Sequence, residues 1–219
     1  MPEINYIPYE SAEDLKYYFY DSYISDDRVV YTASRTGALS VKMAEMILTT
    51  GVSENSYSLM YYDNNIFNPL YANAIWKLRT NTKSDFFAFW GFKLTNSVPT
   101  YNMIESHSGF MINDGLLYCS VADGYTQQRV QIIGIDYTRI ENYRIEYNKF
   151  YIMPLPRVEE QLSLPRIFSA ARVWKLMDTL SNFPPENTMH YLIHYIKNEI
   201  NEEKYIKFNR FIYKEVYAD

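Results

Sequence analysis

The chain has 219 residues, 47% of them hydrophobic and 21% charged, with a formal net charge of −5. A chain this long buries roughly 70% of the surface that its unfolded form exposes, so it needs no metal or disulfide staple, and its hydrophobic content excludes intrinsic disorder. No apolar run approaches the ~18 residues of a spanning helix, and the acidic balance argues against a phosphate-binding surface. No membrane span and no nucleic-acid partner are therefore expected.

Residues 1–27 are a polar, Tyr-rich lead-in. Ser11 with an acidic residue, Asp14, three positions later is a capping pattern, and it predicts a short helix over 11–20. The first residues, Met1-Pro2-Glu3-Ile4-Asn5, show neither a basic start nor an apolar stretch, so synthesis in a cytoplasm without a signal peptide is the expectation.

From Arg28 the texture changes to short strand-like runs separated by turn signals. Val29 to Thr32, Ala38 to Met43, Tyr57 to Tyr62 and Ala74 to Arg79 read as strands, with Asp63-Asn64-Asn65 as a turn cluster. Phe86 to Leu94 is almost entirely apolar, which predicts a strand buried on both faces. Leu116 to Val121 lies between Asn113-Asp114-Gly115 and Ala122-Asp123-Gly124, two turns suited to positive φ. Tyr143, Ile145 and Tyr147 fall on one face of a strand with Arg144 and Glu146 on the other, and Lys149 to Ile152 follows at hairpin distance. Strands at this spacing without intervening helices predict an antiparallel sandwich.

The last third is less regular. Ile167, Ala170, Ala171, Trp174, Met177 and Leu180 follow Pro165 at helical spacing, which predicts a second short helix over 166–181. Residues 189–197 fit either a helix or a strand, because Met189, Leu192, Ile193 and Ile196 suit one period while Tyr191, Ile193 and Tyr195 suit the other. No linker or repeat divides the chain, so 1–219 reads as one domain with 157–188 as an insertion.

Four pieces of the sequence resemble the concanavalin A-like lectin/glucanase sandwich, a fold shared by laminin-G-like modules and by phage and viral structural proteins. They are Ala74 to Arg79 with Asp85 to Phe92; Gly109 to Ile112 with Gly115 to Gly124; Gly134 to Thr138 with Tyr143 to Tyr147 and Lys149 to Ile152; and Lys197-Asn198 with Lys204 to Asn209. The resemblance spans Asn73 to Val216. It implies an all-β, jelly-roll architecture, and it tips 189–197 toward strand. Met153-Pro154-Leu155-Pro156 departs from it, standing where that family has an Asp/Asn-Gly turn.

Fold alone does not confer chemistry. Glycan hydrolases of this architecture present three carboxylates on one strand face as E-x-D-x-E, since acid and nucleophile must stand about 5.5 Å apart. No such string exists here, and Gln131-Ile132-Ile133 puts Ile where the related lyases have His. His190 and His194 have metal-ligand spacing but no third ligand, His107 lies in no nucleophile motif and reads as a loop residue, and Cys119 reads as a small hydrophobe on a strand. No catalytic residue, metal or cofactor is assigned.

Binding is what remains. Aromatic rings pack on the C–H faces of sugars while Asn, Asp and Tyr take hydroxyl hydrogen bonds. Trp76, Trp90, Tyr101, Tyr118 and Tyr125 offer such rings; mid-strand Trp76 and Trp90 read as core, which leaves the loop residues Tyr101, Asp123 and Tyr125 as the candidate glycan contacts. The 23 tyrosines suit strand filling and interfaces equally. The expected function is a non-enzymatic structural or attachment module, a virion component by analogy, that self-associates or meets a protein partner and binds glycans. A hydrolase or lyase with divergent residues, and a plain protein-interaction module, are the alternatives.

Overall fold

The computed structural model describes residues 15–21, 31–35, 38–42, 45–62, 67–146, 149–153, 175–176 and 180–216. Among these, every regular element is a strand. In chain order they are β1 (Leu15–Asp21), β2 (Tyr31–Arg35), β3 (Ala38–Lys42), β4 (Glu45–Thr49), β5 (Tyr57–Tyr62), β6 (Ala72–Thr80), β7 (Phe86–Lys93), β8 (His107–Asn113), β9 (Leu116–Ala122), β10 (Gln127–Ile132), β11 (Glu141–Glu146), β12 (Lys149–Met153), β13 (Lys175–Leu176), β14 (Tyr191–Asn198) and β15 (Tyr205–Val216).

They form two antiparallel sheets. One runs β13-β12-β11-β6-β15-β4-β3, with β1 also on β15; the other runs β10-β9-β8-β7-β14-β5-β2. The chain passes repeatedly from one sheet to the other, so neighbours in space are often far apart in sequence, as when β15 pairs with β6 from Ile206↔Thr80 to Glu215↔Ala72. This is the concanavalin A-like jelly-roll sandwich. β15 is long enough to serve three partners, pairing with β6 along one edge, with β4 by its first half and with β1 by its second. A bulge between Phe208 and Arg210 shifts its register. One extra residue reverses the alternation, so Ile206 and Phe208 before it and Phe211 and Tyr213 after it are all buried in the same core.

The core lies between the sheets and is unusually aromatic. Trp76 packs on Phe92 and Phe211, with ring centroids 5.7 and 5.1 Å away. Trp90 stacks on Phe110 and meets the edge of Tyr143 at 5.0 Å. Both tryptophans are fully buried, as is Cys119. Each such ring contributes roughly 1.5–3 kcal/mol through burial. All eight residues of β7 are buried, because Phe86, Ala88, Trp90 and Phe92 face this core while Phe87 and Phe89 face a second apolar cluster on the other side of their sheet.

Two sequence expectations are corrected. Leu15 to Tyr20 form β1 rather than the later part of a helix over 11–20; pairing with β15 gives this Tyr- and Phe-rich stretch a ladder of backbone hydrogen bonds, and such residues suit a pleated surface better than a helix. Most of 166–181 lies outside the described residues, but Lys175 and Leu176 are extended and pair with Ile152 and Tyr151, so no helix runs through them. The open segment 189–197 resolves as strand: β14 is an interior strand of its sheet, hydrogen-bonded to β7 and β5. The Asp63-Asn64-Asn65 turn lies outside the described residues.

Candidate functional site

The two outward faces of the sandwich differ in chemistry. On the larger sheet the outward positions of β6 and β11 are mainly polar: Asn73, Lys77, Arg79, Asn142, Arg144 and Glu146. Arg144 donates to Asn73 and pairs with Glu146 there. The outward face of the smaller sheet carries tyrosines. Register places Tyr61 of β5 beside Ile193 of β14, and Leu59 beside Tyr195, which in turn lies beside Phe89 of β7. Phe89 lies beside Met111 of β8, and Met111 beside Tyr118 of β9. Leu59, Phe87, Phe89, Met111, Ile193 and Tyr195 form a buried floor, against which Tyr57, Tyr61, Tyr101, Tyr118 and Tyr191 pack partly exposed. Tyr61 and Tyr191 meet edge to face at 6.1 Å, and Tyr101 and Tyr118 at 5.9 Å.

The loop 94–106 delivers Tyr101 and Met103 onto this floor. It is tied down by Lys93, whose ammonium pairs with Glu105 and donates to Thr95 Oγ1 at 2.9 Å and Ser97 Oγ at 2.7 Å. Burial lowers the Lys93 pKa. Burial would raise that of Glu105, but hydrogen bonds from Lys93 and Thr95 outweigh it and hold the carboxyl below its ordinary value.

Beside this clamp runs a polar relay. His107 opens β8, where the sequence suggested a loop, because Lys93 of β7 and Ala122 of β9 pair with it on both sides. Its Nδ1 lies 2.7 Å from the Glu105 carbonyl, which can only accept, so Nδ1 carries the proton and Nε2 accepts from the Ser120 hydroxyl at 2.7 Å. Gln127 Nε2 then donates to Ser120 Oγ at 3.1 Å and to the Tyr101 carbonyl at 3.0 Å. Burial, with the nearby Lys93 charge, lowers the His107 pKa to about 4, so the ring is neutral. His190 is held in the same way, Nδ1 on the Thr188 carbonyl and Nε2 on Ser106 Oγ, and His194 Nε2 accepts from Trp76 Nε1 at 3.0 Å.

The sequence-predicted contacts separate. Tyr101 sits on the tyrosine face. Asp123 and Tyr125 lie in the β9–β10 turn, where the Asp123 carboxylate accepts the backbone N–H groups of Tyr125 and Thr126, both at 2.8 Å. Those bonds lower its pKa. The Tyr125 ring projects into solvent, 87% exposed. Sequence reasoning passed over Tyr57, Tyr61 and Tyr191; the alternations Tyr57-Leu59-Tyr61 and Tyr191-Ile193-Tyr195 carried the signal, but nothing local says that the two strands are neighbours. Among the described residues, no outward position of β5, β14, β7, β8, β9 or β10 carries Asp or Glu.

No protein-family model and no curated protein matches the sequence. Solved structures match the fold. The carbohydrate recognition domain of Emp47p aligns with a TM-score of 0.56 at 10% identity, covering 95% of this chain and 100% of that one. A Bacillus licheniformis β-glucanase aligns with a TM-score of 0.58 at 10% identity, covering 91% and 98%. A legume lectin-like domain from Entamoeba histolytica gives 0.55 at 13% identity, covering 85% and 90%. The chain thus has the concanavalin A-like fold used by both lectins and glucanases; at these identities the likeness concerns architecture alone.

Proposed function

We propose that this protein is a non-catalytic, glycan-binding attachment module whose binding surface is the tyrosine face of the smaller sheet. The observation that carries the reading is the row of partly exposed tyrosines, Tyr57, Tyr61, Tyr191, Tyr118 and Tyr101, set on a rigid buried floor. Rings fixed in this way offer stacking area to sugar C–H faces at small entropic cost. The lectin domains among the structural neighbours add weight to a carbohydrate ligand. The outward strand positions of that face supply no carboxylate pair, and the neutral His107, with both nitrogens engaged and no exposed surface, is not placed to trade protons with a substrate as a lyase base.

A glycan array probed with the intact protein tests this, together with an assay for new reducing ends on mixed-linkage β-glucan. Binding to a defined glycan set, weakened about tenfold by Tyr118→Ala or Tyr191→Ala, is the expected result. Release of reducing ends, or binding indifferent to both substitutions, would overturn it.

A further inference from the structure

The two ends of the tyrosine face differ in charge. At the β14–β7 end, Lys197 stands beside Glu199, whose pKa is raised by burial and by repulsion from Asp114 and Asp85. At the β9–β10 end, Arg129 is the outward residue opposite Ser120. Its guanidinium carbon lies 3.7 Å from the centroid of the Tyr101 ring, and Nη1 donates to the Tyr101 carbonyl at 3.0 Å and to Asn102 Oδ1 at 3.3 Å. These contacts fix the plane of the group and occupy one nitrogen. Among the described residues nothing bonds Nε or Nη2, the edge whose parallel N–H groups match the two oxygens of a carboxylate.

Three acids of the adjoining loops are already engaged. Asp123 accepts two N–H groups of its own turn, Glu105 is taken by Lys93 and the Thr95 N–H, and Asp114, which also acts on Tyr118, accepts from Asn113 Nδ2. Arg129 also acts electrostatically on Tyr118, which places its charge beside the ring that meets Tyr101 edge to face. With the whole chain at −5, no long-range field gathers anions, so selection of an anion at this point has to be local.

We infer that the Tyr101–Tyr118–Arg129 corner is a subsite for an acidic sugar residue, the Arg129 Nε/Nη2 edge taking its carboxylate in a bidentate pair while the tyrosine rings take its apolar face. This rests on the glycan-binding reading above and adds a charge class to it. The test is calorimetric titration of the intact protein with matched probes: tetragalacturonate against its methyl ester, and 3′-sialyllactose against lactose and 3′-sulfolactose. Uronate and sialate are the two sources of the carboxylate, and the two series tell them apart.

In at least one series the carboxylated probe should bind about tenfold tighter than its neutral partner, and Arg129→Gln should remove that preference, so that the two probes bind alike. Equal affinities within both series, a sulfate preferred to a carboxylate, or a preference that survives Arg129→Gln would overturn the subsite and leave glycan binding standing. No binding of any probe overturns the subsite, while the glycan array decides the wider reading. Should Arg129→Gln fail to fold, the two series on the unaltered protein decide, because each compares a carboxylated probe with an uncharged one.

Discussion

Trp76 Nε1 donates to His194 Nε2 at 3.0 Å across the interior of the sandwich, joining β6 of one sheet to β14 of the other. An indole N–H can only donate, so the imidazole must be neutral at Nε2. The bond thus fixes both the tautomer of His194 and the relative position of these two interior strands. His190 and His194, which have the spacing of a metal pair, each have Nε2 committed to a protein partner instead.

Removing that donor leaves a buried ring nitrogen without its partner. Trp76→Phe should therefore destabilise the protein by about 3 kcal/mol, from lost volume and the orphaned acceptor together. Urea unfolding followed by circular dichroism measures it. A loss under about 1 kcal/mol would mean that the bond contributes little.

Acid should unfold the protein through its histidines. Burial lowers all three, His107 and His190 to about 4 and His194 to about 3, against an ordinary value of 6.5. The unfolded chain therefore binds more protons than the folded one between those values. The stability they lend is complete above pH 6.5 and is lost as pH falls toward 4. Urea midpoints taken from pH 7.5 to 4 should decline across that window, and His194→Gln should flatten the decline. A midpoint constant from pH 7 to 5 would contradict it.

Gly91 and Gly109 face one another across β7 and β8, and the pairing depends on their missing side chains. A Cβ on Gly91 would lie 2.5 Å from Gly109 Cα and 2.5 Å from the Ser108 carbonyl oxygen, both backbone atoms that cannot swing aside. Gly91→Ala should cost about 3 kcal/mol or prevent folding. Gly134→Ala, where φ is +83° but no atom lies within 4 Å, should cost only about 1 kcal/mol. Thermal melts of the two variants side by side check the contrast.

The Lys93–Glu105 pair holds the loop that carries Tyr101. Lys93→Met strips the half-buried Glu105 carboxylate of its main partner and should cost about 2 kcal/mol. Lys93→Met with Glu105→Leu should recover part of that, because no charge then remains to be satisfied. A double-mutant cycle in urea reads the coupling. Strict additivity of the two changes would show that the pair does not act as a unit.

Alternation and turn chemistry made much of the fold legible. The period of two in Tyr143-Arg144-Ile145-Glu146, and the Asp114-Gly115 turn, adopted with φ of +48° and +75°, each specify a local geometry that tertiary packing had only to accept. The same logic identified β7 as buried on both faces. It failed at 11–20, where a capping pattern outvoted a Tyr-rich run that only β15, nearly 200 residues later, could pair.

The binding face was not legible in the same way. Period-two patterning says that Tyr57, Leu59 and Tyr61 share a side, and likewise Tyr191, Ile193 and Tyr195, but both sides of these strands are apolar. Which side meets the other sheet and which meets solvent is fixed by non-local pairing of β5, β14, β7, β8 and β9. Residue chemistry and local alternation are properties of the sequence itself, so they established a sandwich, its turns and its aromatic core. The row of tyrosines, the neutral His107 relay and the open edge of Arg129 exist only once strands distant in sequence lie side by side, and the packing of the two sheets decided them.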